Sequence, residues 1–249
     1  MKHTYALLLI FLVTVFLSGC IKHNETKDNT EKVEKVTKRL GQLIKVRPEF
    51  EERYIILHEN TFPSVLERIR KSNIRNYSIF LLDGILFSNM EYVGSDYDGD
   101  MKAIGDEKTK KWWKLTDPMQ EPLPTRKPGE WWAEMELLVN GGEKIKSYTE
   151  AQRTGIVVPI KPGCEDEIRN IFKNIDNNLF AAMANANIQN FTAYMKDNKV
   201  YVYSEYVGKN SEQDGNQFTA SPEYKKFNAE FSKYMTGPWQ KMKEVFHTN

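Results

Sequence analysis

The feature that most constrains this chain is an internal repeat at an offset of 114 residues. Val46-Arg47-Pro48 returns as Ile160-Lys161-Pro162. Asn73-Ile74-Arg75-Asn76-Tyr77 returns as Asn187-Ile188-Gln189-Asn190-Phe191, and Glu91-Tyr92-Val93-Gly94 as Glu205-Tyr206-Val207-Gly208. Read from Leu43 to Trp113, the offset is constant and needs no gap. On that alignment Tyr54 becomes Ile168, His58 becomes Phe172, Tyr77 becomes Phe191 and Trp112 becomes Lys226. The first three changes keep bulk and remove a polar atom. Positions shared by both copies are expected to build the fold, and polar ones kept only in the first copy are candidates for function.

Each copy is about 100 residues, a usual size for one small core. The first is assigned to residues 39–141, the second to 155–249, and the polar stretch 142–154 to a linker. Arg39 to Val46 reads as a strand. Pro48, then Glu49, Glu51 and Glu52, suit the start of a helix that runs through Tyr54 and His58 to a break at Pro63 and resumes over Ser64 to Lys71. Tyr77–Leu82 and Leu86–Val93 read as strands joined at Asp83-Gly84. A second helix is expected over 100–115, then a proline-rich loop and a last strand, Trp132–Val139. In the second copy Trp239-Gln-Lys-Met242 repeats Trp132-Ala-Glu-Met135 at an offset of 107, so its loop is seven residues shorter. The order βαββαβ is ferredoxin-like. A lone sheet of this kind leaves a face and edges uncovered. The expected fold is therefore α+β, with two repeats packed as an intramolecular α/β barrel and the chain a monomeric pseudo-dimer.

Charge is balanced, with 35 basic and 34 acidic residues. That gives no electrostatic footprint for nucleic acid or for a basic face on anionic lipid. Residues 1–19 read as a signal peptide, with Lys2 and His3 before an apolar run, Ala6 to Phe16, that is short for a bilayer span. Leu17-Ser18-Gly19-Cys20 resembles the lipobox of bacterial lipoproteins, which implies acylation of Cys20. Residues 20–38 are expected to tether the body to the bacterial cell envelope, on the periplasmic or outer-membrane side. With Cys20 lipidated, Cys164 has no intrachain partner for a disulfide.

His58 is the one histidine of the folded body away from the termini, four residues after Tyr54 and so on the same helix face. Because Ile168 and Phe172 occupy that face in the second copy, the pair is expected to line a space between helix and sheet. Tyr77 lies on a strand. Asn76, which survives as Asn190, reads as structural. Trp112 and Trp113 are about 100° apart on a helix and cannot face the same way. The comparison with Lys226 points to Trp112 as the cleft residue and to Trp113, matched by Phe227, as packing. The stripe Met101, Ile104, Trp112, Leu115 argues the reverse. No second histidine or cysteine stands near His58, so no metal site is expected.

These residues carry a resemblance. Arg39-Leu40-Gly41-Gln42-Leu43, Tyr54-x-x-x-His58-Glu59-Asn60, Asn76-Tyr77-Ser78-Ile79-Phe80 and Lys111-Trp112-Trp113-Lys114-Leu115-Thr116-Asp117 together resemble the L-rhamnose mutarotase family over Leu40 to Val139. The resemblance implies a dimeric α/β barrel and cofactor-free exchange of the α and β anomers of L-rhamnose. It implies His58 as proton donor, with Tyr54, Tyr77, Trp112 and Trp113 contacting the sugar. Two other classes share the architecture or the location: a rhamnose- or rhamnoside-binding lipoprotein without turnover, and a barrel monooxygenase.

Overall fold

The structure is a computed structural model and describes residues 34–142 and 151–249. The expected signal peptide, Cys20, the tether through residue 33 and linker residues 143–150 lie outside the described residues. Glu34 to Asn249 form one compact unit.

Strand β1 (Lys38–Val46) alternates, with Leu40, Ile44 and Val46 under the helices and Leu43 on the opposite face. A 3-10 turn at Pro48–Phe50 leads into α1 (Glu51–Glu59), and α2 (Pro63–Lys71) restarts with Pro63 in its first turn, where no N–H is missed. Strands β2 (Ile74–Leu82) and β3 (Ile85–Tyr92) form a hairpin. Its turn residues Asp83 and Gly84 have φ of 49° and 72°, the left-handed pair that matches the twist of the strands. The single helix expected over 100–115 is two helices, α3 (Tyr97–Ile104) and α4 (Glu107–Thr116). Gly105 ends the first, and the Asp106 carboxylate starts the second by accepting from the N–H groups of Lys108 and Thr109. Short strands β4 (Gln120–Glu121) and β5 (Ala133–Glu134) precede β6 (Glu136–Gly141).

The second copy repeats this with β7 (Gln152–Pro159), α5 (Glu165–Lys173), α6 (Asn177–Asn185), β8 (Ile188–Lys196), β9 (Lys199–Tyr206), α7 (Ser211–Ala220), α8 (Pro222–Phe231), β10 (Gln240–Lys241) and β11 (Lys243–Thr248). From β1 to α3 the copies correspond at 114. Helix α7 is two residues longer than α3, and α4 and α8 correspond at 115: Glu107–Thr116 answers Pro222–Phe231, and the following 3-10 turns, Asp117–Met119 and Ser232–Tyr234, keep that spacing. The gap-free alignment to Trp113 therefore slips by one residue. The counterpart of Trp112 is Phe227, not Lys226.

The last strand of each copy also departs from expectation. Ala133–Glu134 pairs with β1 of its own copy, but β6 crosses and pairs with β8. Reciprocally, β10 stays with β7 while β11 crosses to pair with β2. The sheets run β11-β2-β3-β1-β4, with β5 also on β1, and β10-β7-β9-β8-β6. Each sheet thus has an edge covered by a strand of the other repeat.

Three apolar layers result. One lies between the first sheet and its helices, one between the second sheet and its helices, and one between the sheets, where Leu43, Phe80, Phe87, Tyr194 and Tyr203 meet. Gly41 and Gly155 allow this approach. A Cβ on Gly41 would lie 2.7 Å from the Tyr194 ring, and one on Gly155 2.5 Å from the Phe80 ring. The repeated Asn and Glu motifs meet between the sheets. The Asn76 and Asn190 side-chain amides both donate to Glu91 and to Glu205, over 2.7–3.2 Å, and Arg39 donates to Glu91 at 2.6 Å. The Tyr203 hydroxyl and Gln189 amide also donate to Glu205, at 2.9 and 2.7 Å. Asn76 is structural, as its survival in both copies indicated. It links the repeats through a buried, hydrogen-bonded carboxylate pair.

Candidate active site

Helix α1 brings Tyr54 and His58 onto one face, with rings stacked at 3.9 Å between centroids. Tyr54 has no accessible surface. The His58 Nδ1–H donates to the Tyr54 carbonyl oxygen at 2.9 Å. A carbonyl only accepts, so this bond fixes the neutral tautomer with a lone pair on Nε2. Burial lowers the His58 pKa from 6.5 to about 4, against a smaller opposing effect of the bond to the Tyr54 carbonyl. The imidazole is therefore uncharged at neutral pH. Burial, and secondarily the nearby Tyr77, raises the Tyr54 hydroxyl well above 10, while a hydrogen bond from Gln120 acts the other way. Tyr77 is likewise raised by burial.

Trp112 of α4 turns inward, edge-on to His58 at 5.3 Å and to Phe62 at 5.1 Å. Trp113 is on the outer side, 37 % exposed, with its ring against Gly105. The internal comparison favoured Trp112 as the cleft residue for a reason the one-residue slip removes; Trp112, which the helical stripe assigned to packing, faces inward beside His58. Phe172 and Phe227 of the second copy reproduce the His58–Trp112 contact, at 5.7 Å and 73° against 5.3 Å and 72°. The structure thus brings His58, Tyr54, Tyr77 and Trp112 together and leaves Trp113 outside.

Three further residues belong to the cluster. Phe246 of the crossing strand β11 stands edge-on to His58 at 5.7 Å and to Tyr77 at 5.4 Å, so the second repeat completes the wall of the first repeat's site. Gln120, buried at the end of the 3-10 turn after α4, donates from Nε2 to the Tyr54 hydroxyl at 3.4 Å. Trp131, returning from the proline-rich loop, donates from Nε1 to Gln120 Oε1 at 2.9 Å. The sequence hid Phe246 because a strand's partner sheet is not written in its residues. It hid Gln120 because the gap-free comparison ended at Trp113; carried on at an offset of 115, its counterpart is the apolar Met235.

Among the described residues, neither His58 Nε2 nor the Tyr77 hydroxyl has a protein hydrogen-bond partner. Two surface depressions lie elsewhere. One of about 300 Å³ is between α2 and α4, lined by Arg68, Lys71 and Asp106, and one of about 760 Å³ is beside β6, lined by Glu136, Arg169 and Asp197. His58 and Tyr77 are half-buried, with Trp112 beside His58 and the exposed Phe62 against Trp112. No group of three or more His, Cys, Asp or Glu side chains arranged to hold a metal ion occurs among the described residues.

Two solved structures of putative monooxygenases share this architecture. A putative monooxygenase from Lactobacillus acidophilus superposes with a TM-score of 0.55 over 85 % of this chain and 96 % of its own, at 10 % identity. Another from Fusobacterium nucleatum gives 0.52 over 85 % and 93 %, at 13 % identity. At such identities the likeness is one of fold alone. An L-rhamnose mutarotase from Lactiplantibacillus plantarum is 28 % identical over 92 residues, 36 % of this chain and 86 % of that protein. The family profile of L-rhamnose mutarotase matches residues 39–139 and again 153–248. With both repeats matched, the chain belongs to the L-rhamnose mutarotase family and carries its unit twice.

Proposed function

We propose that the first repeat interconverts the α and β anomers of L-rhamnose or a related 6-deoxyhexose, with His58 moving the proton. The observation that carries this is the His58 imidazole, held through Nδ1 by the Tyr54 carbonyl with an unpaired Nε2 among aromatic rings. In ring opening Nε2 takes the anomeric hydroxyl proton, the C1–O5 bond breaks as the C1 carbonyl forms, and O5 receives a proton from a hydroxyl, for which Tyr54 and Tyr77 are at hand. Rotation about C1–C2 exposes the other carbonyl face. On reclosure O5 attacks C1 and its proton returns to the hydroxyl relay, while the imidazolium gives its proton to the carbonyl oxygen. His58 is base in one half-reaction and acid in the other. Such help is typically worth ~10²–10⁴-fold. The apolar rings of Trp112 and Phe246 suit the methyl and C–H edges of a 6-deoxy sugar.

Saturation-transfer NMR between rhamnose anomers tests the reading: the chain should accelerate exchange and His58→Ala should abolish the acceleration. Equal exchange in that variant removes His58 from the mechanism. A second reading, binding without turnover, is favoured by the weak basicity of an imidazole with a pKa near 4. Calorimetric binding without accelerated exchange selects it. In the same proposal the body works as a monomer in the bacterial envelope, held by lipid on Cys20. No helix among the described residues is long and apolar enough to cross a membrane. Palmitate labelling that survives Cys20→Ser rules the anchor out.

A further inference from the structure

The repeat comparison, corrected to an offset of 115 after α3, identifies a polar device present only in the first copy. Gln120 answers Met235 there, and Trp131, at the 107 spacing of the last strands, answers Pro238. Gln120, which touches Tyr54, and Trp131, which touches Gln120, have thus both lost their polar atoms together with Tyr54 and His58.

We propose that Trp131 and Gln120 are positioning residues that set the direction of the Tyr54 hydroxyl, making it a proton donor toward the sugar. The inference rests on the anomer-exchange reading above. Its logic is a chain of donor and acceptor identities. An indole nitrogen can only donate. Trp131 Nε1 is 2.9 Å from Gln120 Oε1, so the amide must present its carbonyl to Trp131. Its NH₂ is then turned to the Tyr54 oxygen, 3.4 Å away. With that oxygen accepting, the phenol's own O–H is directed elsewhere. No hydrogen bond donated by it occurs among the described residues, and the Tyr77 hydroxyl lies near. Turned toward the His58 and Tyr77 side of the cluster, it is available to donate to the ring oxygen of a sugar bound there while Nε2 of His58 accepts from the anomeric hydroxyl. An exposed indole thereby fixes the polarity of a fully buried phenol through one amide. Neither residue touches the sugar in this scheme, which separates their role from that of His58.

The test is anomer exchange with three variants of the full chain, measured at pH 8 and pH 5 alongside the unmodified protein. Gln120→Glu keeps shape. As a carboxylate it accepts from both Trp131 and Tyr54, which draws the phenol proton away from the sugar. As a neutral acid it can again donate to Tyr54. The expected result is a fall in kcat of ~10–100-fold at pH 8, within the range for acid–base assistance, with KM changed less than ~3-fold, and partial recovery of kcat at pH 5. Trp131→Phe, at a position 44 % exposed and so tolerant of change, should lower kcat ~3–10-fold because the amide is free to flip. Gln120→Met should fall as far as Gln120→Glu and show no recovery at pH 5. Full activity in Trp131→Phe overturns the proposal even if both Gln120 variants unfold. So does a Gln120→Glu profile parallel to the unmodified one. If the unmodified chain exchanges anomers and the variants do too, only the positioning role fails. If the unmodified chain does not, the catalytic reading fails and this one with it.

Discussion

Phe246 of the second repeat meets Tyr77 of the first edge-on, with ring centroids 5.4 Å apart. The contact exists because β11 lies beside β2, with Thr248 opposite Tyr77 and Phe246 opposite Ile79. Without the second repeat, β2 is a bare edge and the site lacks a wall. Residues 34–142 expressed alone should show no anomer exchange and should self-associate through that edge. Exchange by the isolated first repeat as a monomer would show that the crossing strand is dispensable. In the full chain Phe246→Ala should cost ~3–5 kcal/mol of stability, as large-to-small core changes do, measured by urea unfolding.

His58→Phe recreates the second copy's own solution, in which Phe172 is 1 % exposed against Phe227 and Phe231. The variant should lose catalysis while keeping or raising its melting temperature at pH 7. A drop of more than about 2 kcal/mol, the level of a core overpacking penalty, contradicts the structural equivalence of positions 58 and 172.

Catalysis should follow the shifted imidazole. His58 is held at about 4, chiefly by burial, so its basic form persists well below 6.5. The enzyme-accelerated part of kcat/KM should be level from pH 8 to about 5 and fall as pH drops toward 4. A break near 6.5 would show that the free enzyme's imidazole is not buried as described.

Stability should be acid-sensitive in a defined window. His58 and His247 are each lowered from 6.5 to about 4, both mainly by burial, with the Arg153 charge adding to the second. The folded chain then binds fewer protons than the unfolded chain between those values. Their stabilisation is full above about 6.5 and is lost as pH falls from about 6.5 to about 4. Allowing for partial exposure, each contributes roughly 2 kcal/mol. Urea midpoints should decline across that window, and His58→Phe should remove about half of the decline.

Between the sheets, Arg39→Met leaves Glu91 without its guanidinium partner and should cost ~3–5 kcal/mol, the range for breaking one side of a buried ion pair. Arg39→Met combined with Glu91→Leu should recover part of the loss. If the double variant is as unstable as the sum of its singles, the two residues are not coupled.

Much of this protein could be read from residue order. The repeat, the helix break at Pro63, the Asp83-Gly84 turn, the shared face of Tyr54 and His58, and the structural role of Asn76 all follow from local geometry or from comparing one half with the other. Local signals failed where two arrangements satisfy them equally. The stretch 100–115 can be one helix or two until Gly105 and the Asp106 cap are weighed against packing. One extra residue in the second copy, between the starts of α7 and α8, moved the inward face from Lys226 to Phe227 without changing the composition.

What only the tertiary structure decided is the company each side chain keeps. The strand 136–141 and its twin 243–248 have the alternation of an edge strand, and an edge strand's backbone can pair with either sheet. Crossing both ways caps both sheets and carries Phe246 to His58, a contact between residues 188 positions apart. Residue order shows which half keeps the polar groups on its first helix; the shared edges between the halves decide that neither sheet is complete by itself, because backbone hydrogen bonds are blind to which repeat supplies them.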